Sequence, residues 1–412
     1  MGLNDTPSGD RVHIGFFGRR NAGKSSLVNA VTGQDMAVVS DTKGTTTDPV
    51  SKSMELLPLG PVVIIDTPGF DDDAGTLGQM RVQKARQMLN RADLAVLVAD
   101  ASAGLCGCDR ELLKLFREKG IRYLIVWNKS DLVPGHPAPA KEEAYVSAKT
   151  GSGIPELKEK LAHLTPPEDL RLHLVGDLLQ PRDIVVLVTP IDSAAPKGRL
   201  ILPQQQMIRD ILEADAISVV VRENGLTAAL KSLGRKPAMV ITDSQAFARV
   251  SAETPPDIPL TSFSILMARY KGLLLDAVRG VTAVSHLKDG DTVLISEGCT
   301  HHRQCDDIGS VKLPRWLKEF TGKNLKFRFS SGMGFPEDLS EYALVLHCGG
   351  CMLNPRELKY RMKCAKDQSI PMTNYGVAIA YMNGILERSL AVLPEIEKEY
   401  RRWEGNAEKP FH

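Results

Sequence analysis

A chain of 412 residues exceeds one ordinary core and sets an expectation of about two to four domains. With 43% hydrophobic and 25% charged residues and a formal charge of +1, the composition is that of a globular protein. It excludes a general basic field for nucleic acid and, lacking an apolar run of roughly 20 residues, a bilayer-spanning helix. Residues 1–11 are polar and carry no signal-peptide core, and seven cysteines is an odd count. The expectation is a cytoplasmic protein whose thiols ligate metal or lie buried, without a disulfide framework.

The chain opens with a strand pattern at Arg11–Phe17, then Gly18-Arg-Arg-Asn21-Ala22-Gly23-Lys24-Ser25-Ser26, then a helical pattern through Val31. Strand, glycine loop and helix in that order form a phosphate-binding loop. Its amides and helix N-terminus would converge on phosphate oxygens. Lys24 would reach the β- and γ-phosphates, and Ser25 would ligate Mg²⁺. The polar stretch Asp41–Asp48 suits a first switch, with Thr46 as a second Mg²⁺ ligand. Val62–Gly69 reads as a buried strand ending in Asp66, which can hold a Mg²⁺-bound water, followed by Gly69, whose amide would sense the γ-phosphate. Leu124–Asp131 is a strand ending in Asn128-Lys129-Ser130-Asp131. The carboxylate of Asp131 can accept from N1–H and the 2-amino group of guanine, donors that adenine lacks, so the nucleotide is read as GTP. Ser147-Ala148-Lys149 would supply a backbone contact to guanine O6.

These motifs resemble the Ras-like GTPase superfamily across the first domain. The residue after Asp66-Thr-Pro-Gly69 is Phe70, where Ras-like enzymes place a water-orienting glutamine. Asn21 together with Gly44-Thr-Thr-Thr-Asp48 resembles the tRNA-modification-type (TrmE-like) GTPases. That resemblance implies K⁺ held at Asn21 and activity gained on dimerisation. Cys106 and Cys108 fall in a loop before an amphipathic helix and are read as inert surface thiols.

Thr165-Pro-Pro-Glu-Asp reads as a linker. Apolar runs at 184–188, 217–221, 238–241 and 260–263 alternate with helical patterns at 204–214 and 227–233, as in a parallel or mixed α/β sheet. Asp192, Lys197 and Arg199 are read as a solvated loop, and a segment without chemistry suits self-association. Beyond it, a helical run at 263–278, strands at 292–295, 325–329 and 343–347, and a helix opened by Asn354-Pro355 repeat the α/β pattern. The expected fold is α/β in three domains: a P-loop GTPase domain (1–168), a small dimerisation domain (169–264) and a metal-cluster domain (265–412).

The last domain carries Cys299-Thr-His301 and, after residues 302–346, His347-Cys348-Gly-Gly-Cys351. Cys299 lies just beyond one strand and Cys348 directly follows another, so parallel strands would bring them to one sheet edge. Three thiolates with a histidine fit a structural Cys₃His zinc site or a [4Fe–4S] cluster with one iron lacking a thiolate, and the spacing leaves both open. Cys305 could substitute as a ligand, Cys364 reads as a small buried group, and His286 and His302 as surface histidines.

This pattern, joined to the GTPase motifs, resembles the [FeFe]-hydrogenase maturation GTPase family, HydF. The resemblance implies a [4Fe–4S] cluster on Cys299, Cys348 and Cys351, with His301, His347, an exchangeable ligand or incoming cargo at the fourth position. It also implies a homodimeric scaffold that receives a di-iron precursor from two radical-SAM maturases and delivers it to the apo-hydrogenase. The competing expectation is an RNA-acting GTPase with a structural metal site, which the neutral charge and lack of an aromatic or basic platform oppose.

Overall fold

Near-continuous apolar runs such as Leu94–Asp100 and Ile184–Val188 make strands buried on both faces, the pattern of parallel sheets covered by helices. The computed structural model describes residues 8–33, 50–67, 69, 87–164, 173–191, 200–298, 307–332 and 334–404. It divides into two compact units, residues 4–170 and residues 171–412 with the first three residues.

In the first unit six strands lie in the order β2-β3-β1-β4-β5-β6: β1 (Val12–Phe17), β2 (Val50–Leu56), β3 (Gly60–Asp66), β4 (Leu94–Asp100), β5 (Arg122–Asn128) and β6 (Glu143–Tyr145). All neighbours are parallel except β2, which runs antiparallel to β3 at the edge. The helices Lys24–Thr32 and Ile154–Leu164 share an apolar cluster with one face of the sheet, and Gly107–Glu118 shares one with the other. This is the mixed α/β arrangement of a Ras-like P-loop domain, with the functional loops at the carboxyl ends of β1, β3 and β5.

The second unit holds two four-stranded, all-parallel sheets. One has the order β10-β9-β7-β8, from β7 (Ile184–Val188), β8 (Ile217–Val221), β9 (Met239–Thr242) and β10 (Leu260–Ser262). The other has the order β12-β11-β13-β14, from β11 (Thr292–Glu297), β12 (Lys326–Ser331), β13 (Leu344–His347) and β14 (Met372–Asn374). A common core joins them: Val186, Val240 and Leu260 of the first sheet belong to the same apolar cluster as Val293, Leu344 and Leu346 of the second. The helical run expected at 263–278 is two helices, Phe263–Tyr270 and Leu274–Val281, because the chain turns at Gly272. The last described helix, Pro394–Glu404, carries charged residues on its exposed side and buries Tyr400 in the common core. Among the described residues no helix is long and apolar enough to cross a membrane.

Candidate functional site

The phosphate loop is built as its residue types require. Gly23 has φ 84°, a left-handed conformation, and a Cβ there would meet Asn128 Nδ2 at 2.3 Å, so only glycine fits. Asn128 at the end of β5 spans two loops: its Nδ2 donates to the Ala22 carbonyl at 3.0 Å, and its Oδ1 accepts the Ala148 amide at 3.0 Å. Lys24 is buried and its Nζ donates to the carbonyls of Gly18 and Arg19 at 3.0 and 2.9 Å, lying across the loop that phosphates would fill. Ser25, Ser26 and the exposed Asn21 complete the loop, and Asn21 adopts φ 61°.

Ser25 Oγ donates to Asp66 Oδ2 at 2.8 Å. Asp66 is buried, and its other oxygen, Oδ1, has no hydrogen-bond partner. Burial raises its carboxyl pKa, against the lowering influence of Ser25 and Lys24. A buried, under-satisfied carboxylate beside a hydroxyl fits a Mg²⁺ ion with its water. Gly69 lies against the backbone of Arg20. Thr46 and Phe70 lie outside the described residues, as does the stretch Asp41–Asp48.

Lys129 is held by Asp100, at the end of β4, through a 2.7 Å ion pair. Burial opposes ionisation of Asp100, but Lys129 and the hydroxyl and amide of Ser102 outweigh it and hold the carboxyl down to about 2. The sequence reading missed Asp100; an acidic residue closing an all-apolar strand was its signal. Asp131 and Lys149 are exposed and Ser147 is buried beside Ala148.

In the second unit β11 and β13 are parallel neighbours with Ser296 opposite His347. The Cys348 amide donates to the Ser296 carbonyl at 2.9 Å, and the amides of Gly298 and Gly350 donate to Cys348 Sγ at 3.0 and 3.4 Å. Gly298 is thus bonded to the sulfur at the sheet edge, and a Cβ there would strike Leu353 Cγ at 2.7 Å. Cys299 follows Gly298 directly, but Cys299, His301, His302 and Cys305 lie outside the described residues. Cys351 sits half-buried on the turn before the Asn354 cap, whose Oδ1 accepts the Glu357 amide of helix Pro355–Asp367. Cys364 is half-buried against an apolar cluster. A sulfur that accepts amide hydrogens beside a helix N-terminus fits a thiolate bound to an anionic cluster.

His347 is fully enclosed. Arg361 Nη1 donates to its Nε2 at 3.0 Å, and since a guanidinium only donates, Nδ1 carries the proton and donates to the Cys348 carbonyl at 2.7 Å. Burial, then the Arg361 charge, depresses the imidazole pKa to about 3, with the Cys348 carbonyl opposing. Both ring nitrogens are therefore engaged, and a metal bond would have to displace Arg361. Arg361 is itself buried, with Nε bonded to Glu357 Oε1 at 2.9 Å and Nη2 to the Gly332 carbonyl at 2.6 Å. Lys271, also buried, lines a cavity of about 20 Å³ with His347, Cys348 and Gly349. Glu357, Arg361 and Lys271 escaped the sequence reading. The i,i+4 spacing of Glu357 and Arg361 looks like an ordinary solvated helix pair, and burial is what sets it apart.

Residues 174–272 match the hydrogen maturase F dimerization domain, residues 275–392 the hydrogen maturase F tetramerization domain, and residues 13–129 the 50S ribosome-binding GTPase model. The tRNA modification GTPase MnmE of a Synechococcus strain is 38% identical over 157 residues, 37% of this chain and 34% of the relative. That of Nitratidesulfovibrio vulgaris is 38% identical over 152 residues, 36% and 33% of the two chains. The chain therefore spans about a third of the length of the curated relatives it matches. Among solved structures, a probable GTP-binding protein engB aligns with TM-score 0.31 and 25% identity over 37% of this chain and 98% of that one. Aquifex aeolicus Era bound to GDP and aluminium fluoride aligns with TM-score 0.34 and 20% identity, covering 54% and 98%. Where the sequence led to a dimerisation domain and a cluster domain, the matched families are a dimerisation and a tetramerisation domain.

Proposed function

The chain belongs to the hydrogen maturase F family with a TrmE-like GTPase domain at its N-terminus, and on that premise we propose that it is a cytoplasmic GTP-hydrolysing scaffold for an iron–sulfur cargo. In this reading residues 1–168 bind and hydrolyse GTP, 169–264 mediate self-association and 265–412 hold a [4Fe–4S] cluster. The cargo is the di-iron precursor of the [FeFe]-hydrogenase active site, taken from two radical-SAM maturases and passed to the apo-hydrogenase.

In the first unit Lys24 would exchange its carbonyl partners for β- and γ-phosphate oxygens. Ser25, with Thr46, would turn to Mg²⁺, and Asp66 would hold a Mg²⁺-bound water through its orphaned oxygen. Asn128, Lys129, Asp131 and the Ser147–Lys149 backbone would grip guanine, and Gly69 would read the γ-phosphate. A phenyl ring at position 70 cannot orient water, which favours K⁺ at Asn21 as the extra positive charge. Hydrolysis should then be faster in K⁺ than in Na⁺ for the native chain and equal in both for Asn21→Ala.

The observation that carries the cluster assignment is Cys348 Sγ, which accepts two backbone amides at the carboxyl edge shared by β11 and β13. Cys299, Cys348 and Cys351 would be the ligands. When bound, the cluster supplies an iron with an exchangeable position to which cargo attaches. His301 or a small exchangeable ligand suits that position better than His347, whose ring nitrogens serve Arg361 and the backbone. Buried Arg361 and Lys271 add positive charge near an anionic centre. Strand β8, at a sheet edge with Ile217 and Val220 exposed, is the proposed place of self-pairing. GTP would act by changing partner affinity, which requires its two nucleotide states to contact the partner differently. Cys348→Ser should abolish hydrogenase activation and leave GTP hydrolysis intact; loss of both activities would overturn the division of labour.

A further inference from the structure

The loop after β4 gathers a second set of metal donors. It contains Cys106-Gly-Cys108-Asp109, read from sequence as inert. In the fold Asp100 closes β4 and the chain turns through Ser102 into helix Gly107–Glu118, with Cys106 as the residue before its first turn. Cys106 Sγ lies 2.8 Å from Cys108 Sγ and 3.1 Å from Asp109 Oδ2. Among the described residues this is the one group of three such donors within 4.8 Å of each other.

Asp109 provides an independent observation. It is fully buried, and while Oδ2 also accepts the Cys106 amide at 3.1 Å, Oδ1 has no hydrogen-bond partner. A buried carboxylate oxygen without a donor is costly unless something positive meets it. The two cysteines are half-buried and so reachable from solvent. Two thiolates with one carboxylate select a borderline or soft divalent ion over Mg²⁺ or Ca²⁺, which prefer oxygen alone.

We propose that Cys106, Cys108 and Asp109 form a binding site for a zinc-class divalent cation, distinct from the Mg²⁺ of the phosphate loop and from the C-terminal cysteines. Binding displaces the thiol protons to solvent. Around a tetrahedral ion with Zn–S bonds of about 2.3 Å, the sulfurs separate to ~3.7 Å by small side-chain rotations. Water reaching the half-buried cysteines would supply the fourth ligand. The ion ties the turn that follows Asp100 to the first turn of the helix.

The test uses the full chain with Cys299, Cys305, Cys348, Cys351 and Cys364 replaced by serine, titrated anaerobically with Co²⁺. The expected result is about one equivalent bound, with thiolate-to-cobalt charge-transfer absorption that Zn²⁺ displaces. Asp109→Asn keeps an oxygen for the Cys106 amide and should weaken binding at least about tenfold. Adding Cys106→Ser and Cys108→Ser should remove the absorption. Retained binding of a fluorescent guanine nucleotide reports that the first unit is folded in each variant. Absent absorption in a nucleotide-binding sample, absorption that survives loss of both cysteines, or unaltered affinity in Asp109→Asn would overturn the proposal. Zinc content of the otherwise native chain gives a second reading: Cys106→Ser/Cys108→Ser should lower it by about one equivalent, and an unchanged content would count against the site.

Discussion

Replacing Arg361 by methionine tests how the cluster edge is supported. The guanidinium is fully buried and bonds to Glu357, the Nε2 of His347 and the Gly332 carbonyl. Methionine fills much of the volume but leaves the Glu357 carboxylate buried and uncompensated. Breaking one side of a buried ion pair costs about 3–5 kcal/mol. For a unit of this size that lowers the melting temperature by about 6–20 °C. The double variant Glu357→Leu/Arg361→Met removes both charges and orphans only two neutral acceptors, so it should lie within about 2 kcal/mol of the native chain. The assay is urea and thermal unfolding of metal-free protein in a Trp127→Phe background. Trp316 and Trp403 then report the second unit alone. A cost below about 1 kcal/mol for the single variant, or a double variant no better than the single one, would refute the reasoning.

Asp131→Asn should lower GTP affinity by about 10–100-fold, because a donor then faces the guanine N1–H and 2-amino group, and should raise affinity for xanthosine triphosphate, as competition binding would show. Asp100→Asn should weaken guanine-nucleotide binding by loosening Lys129. Asp100 also contributes to stability in a pH-dependent way. Its folded pKa, about 2, lies below the ordinary 3.8, so its contribution is full above pH 3.8 and is lost as pH falls from there towards 2. With solvent screening of the partly exposed Lys129 partner, the loss amounts to about 1 kcal/mol. Acid unfolding of the native chain and the Asp100→Asn variant should converge below that window, and a constant gap would contradict the assignment.

Legibility in the sequence followed the range over which each feature is encoded. The phosphate loop was readable because strand, glycines and helix are contiguous, and β7 and β11 because unbroken apolar runs leave few alternatives. The short strands β6 and β14, of three residues each, carry too few positions for a period to emerge. The turn at Gly272 hid inside an apolar run that continues on both sides. Parallel strands made it foreseeable that the chain leaving β11 would pass close to Cys348, and Gly298, the last described residue of that stretch, donates its amide to Cys348 Sγ. The common core of the two C-terminal sheets was not foreseeable, since helices distant in sequence bridge them. Buried Arg361 and Asp109 were missed for one reason: a charged residue on a helix reads as solvated until its surroundings are known.

Iron and sulfide analysis of chain purified or reconstituted anaerobically tests the central claim most directly. The account expects about four irons and four sulfides per chain, falling to near zero when Cys348 is changed to serine while guanine-nucleotide binding persists. One zinc without sulfide at the C-terminal cysteines, or an iron content indifferent to Cys348, would contradict it.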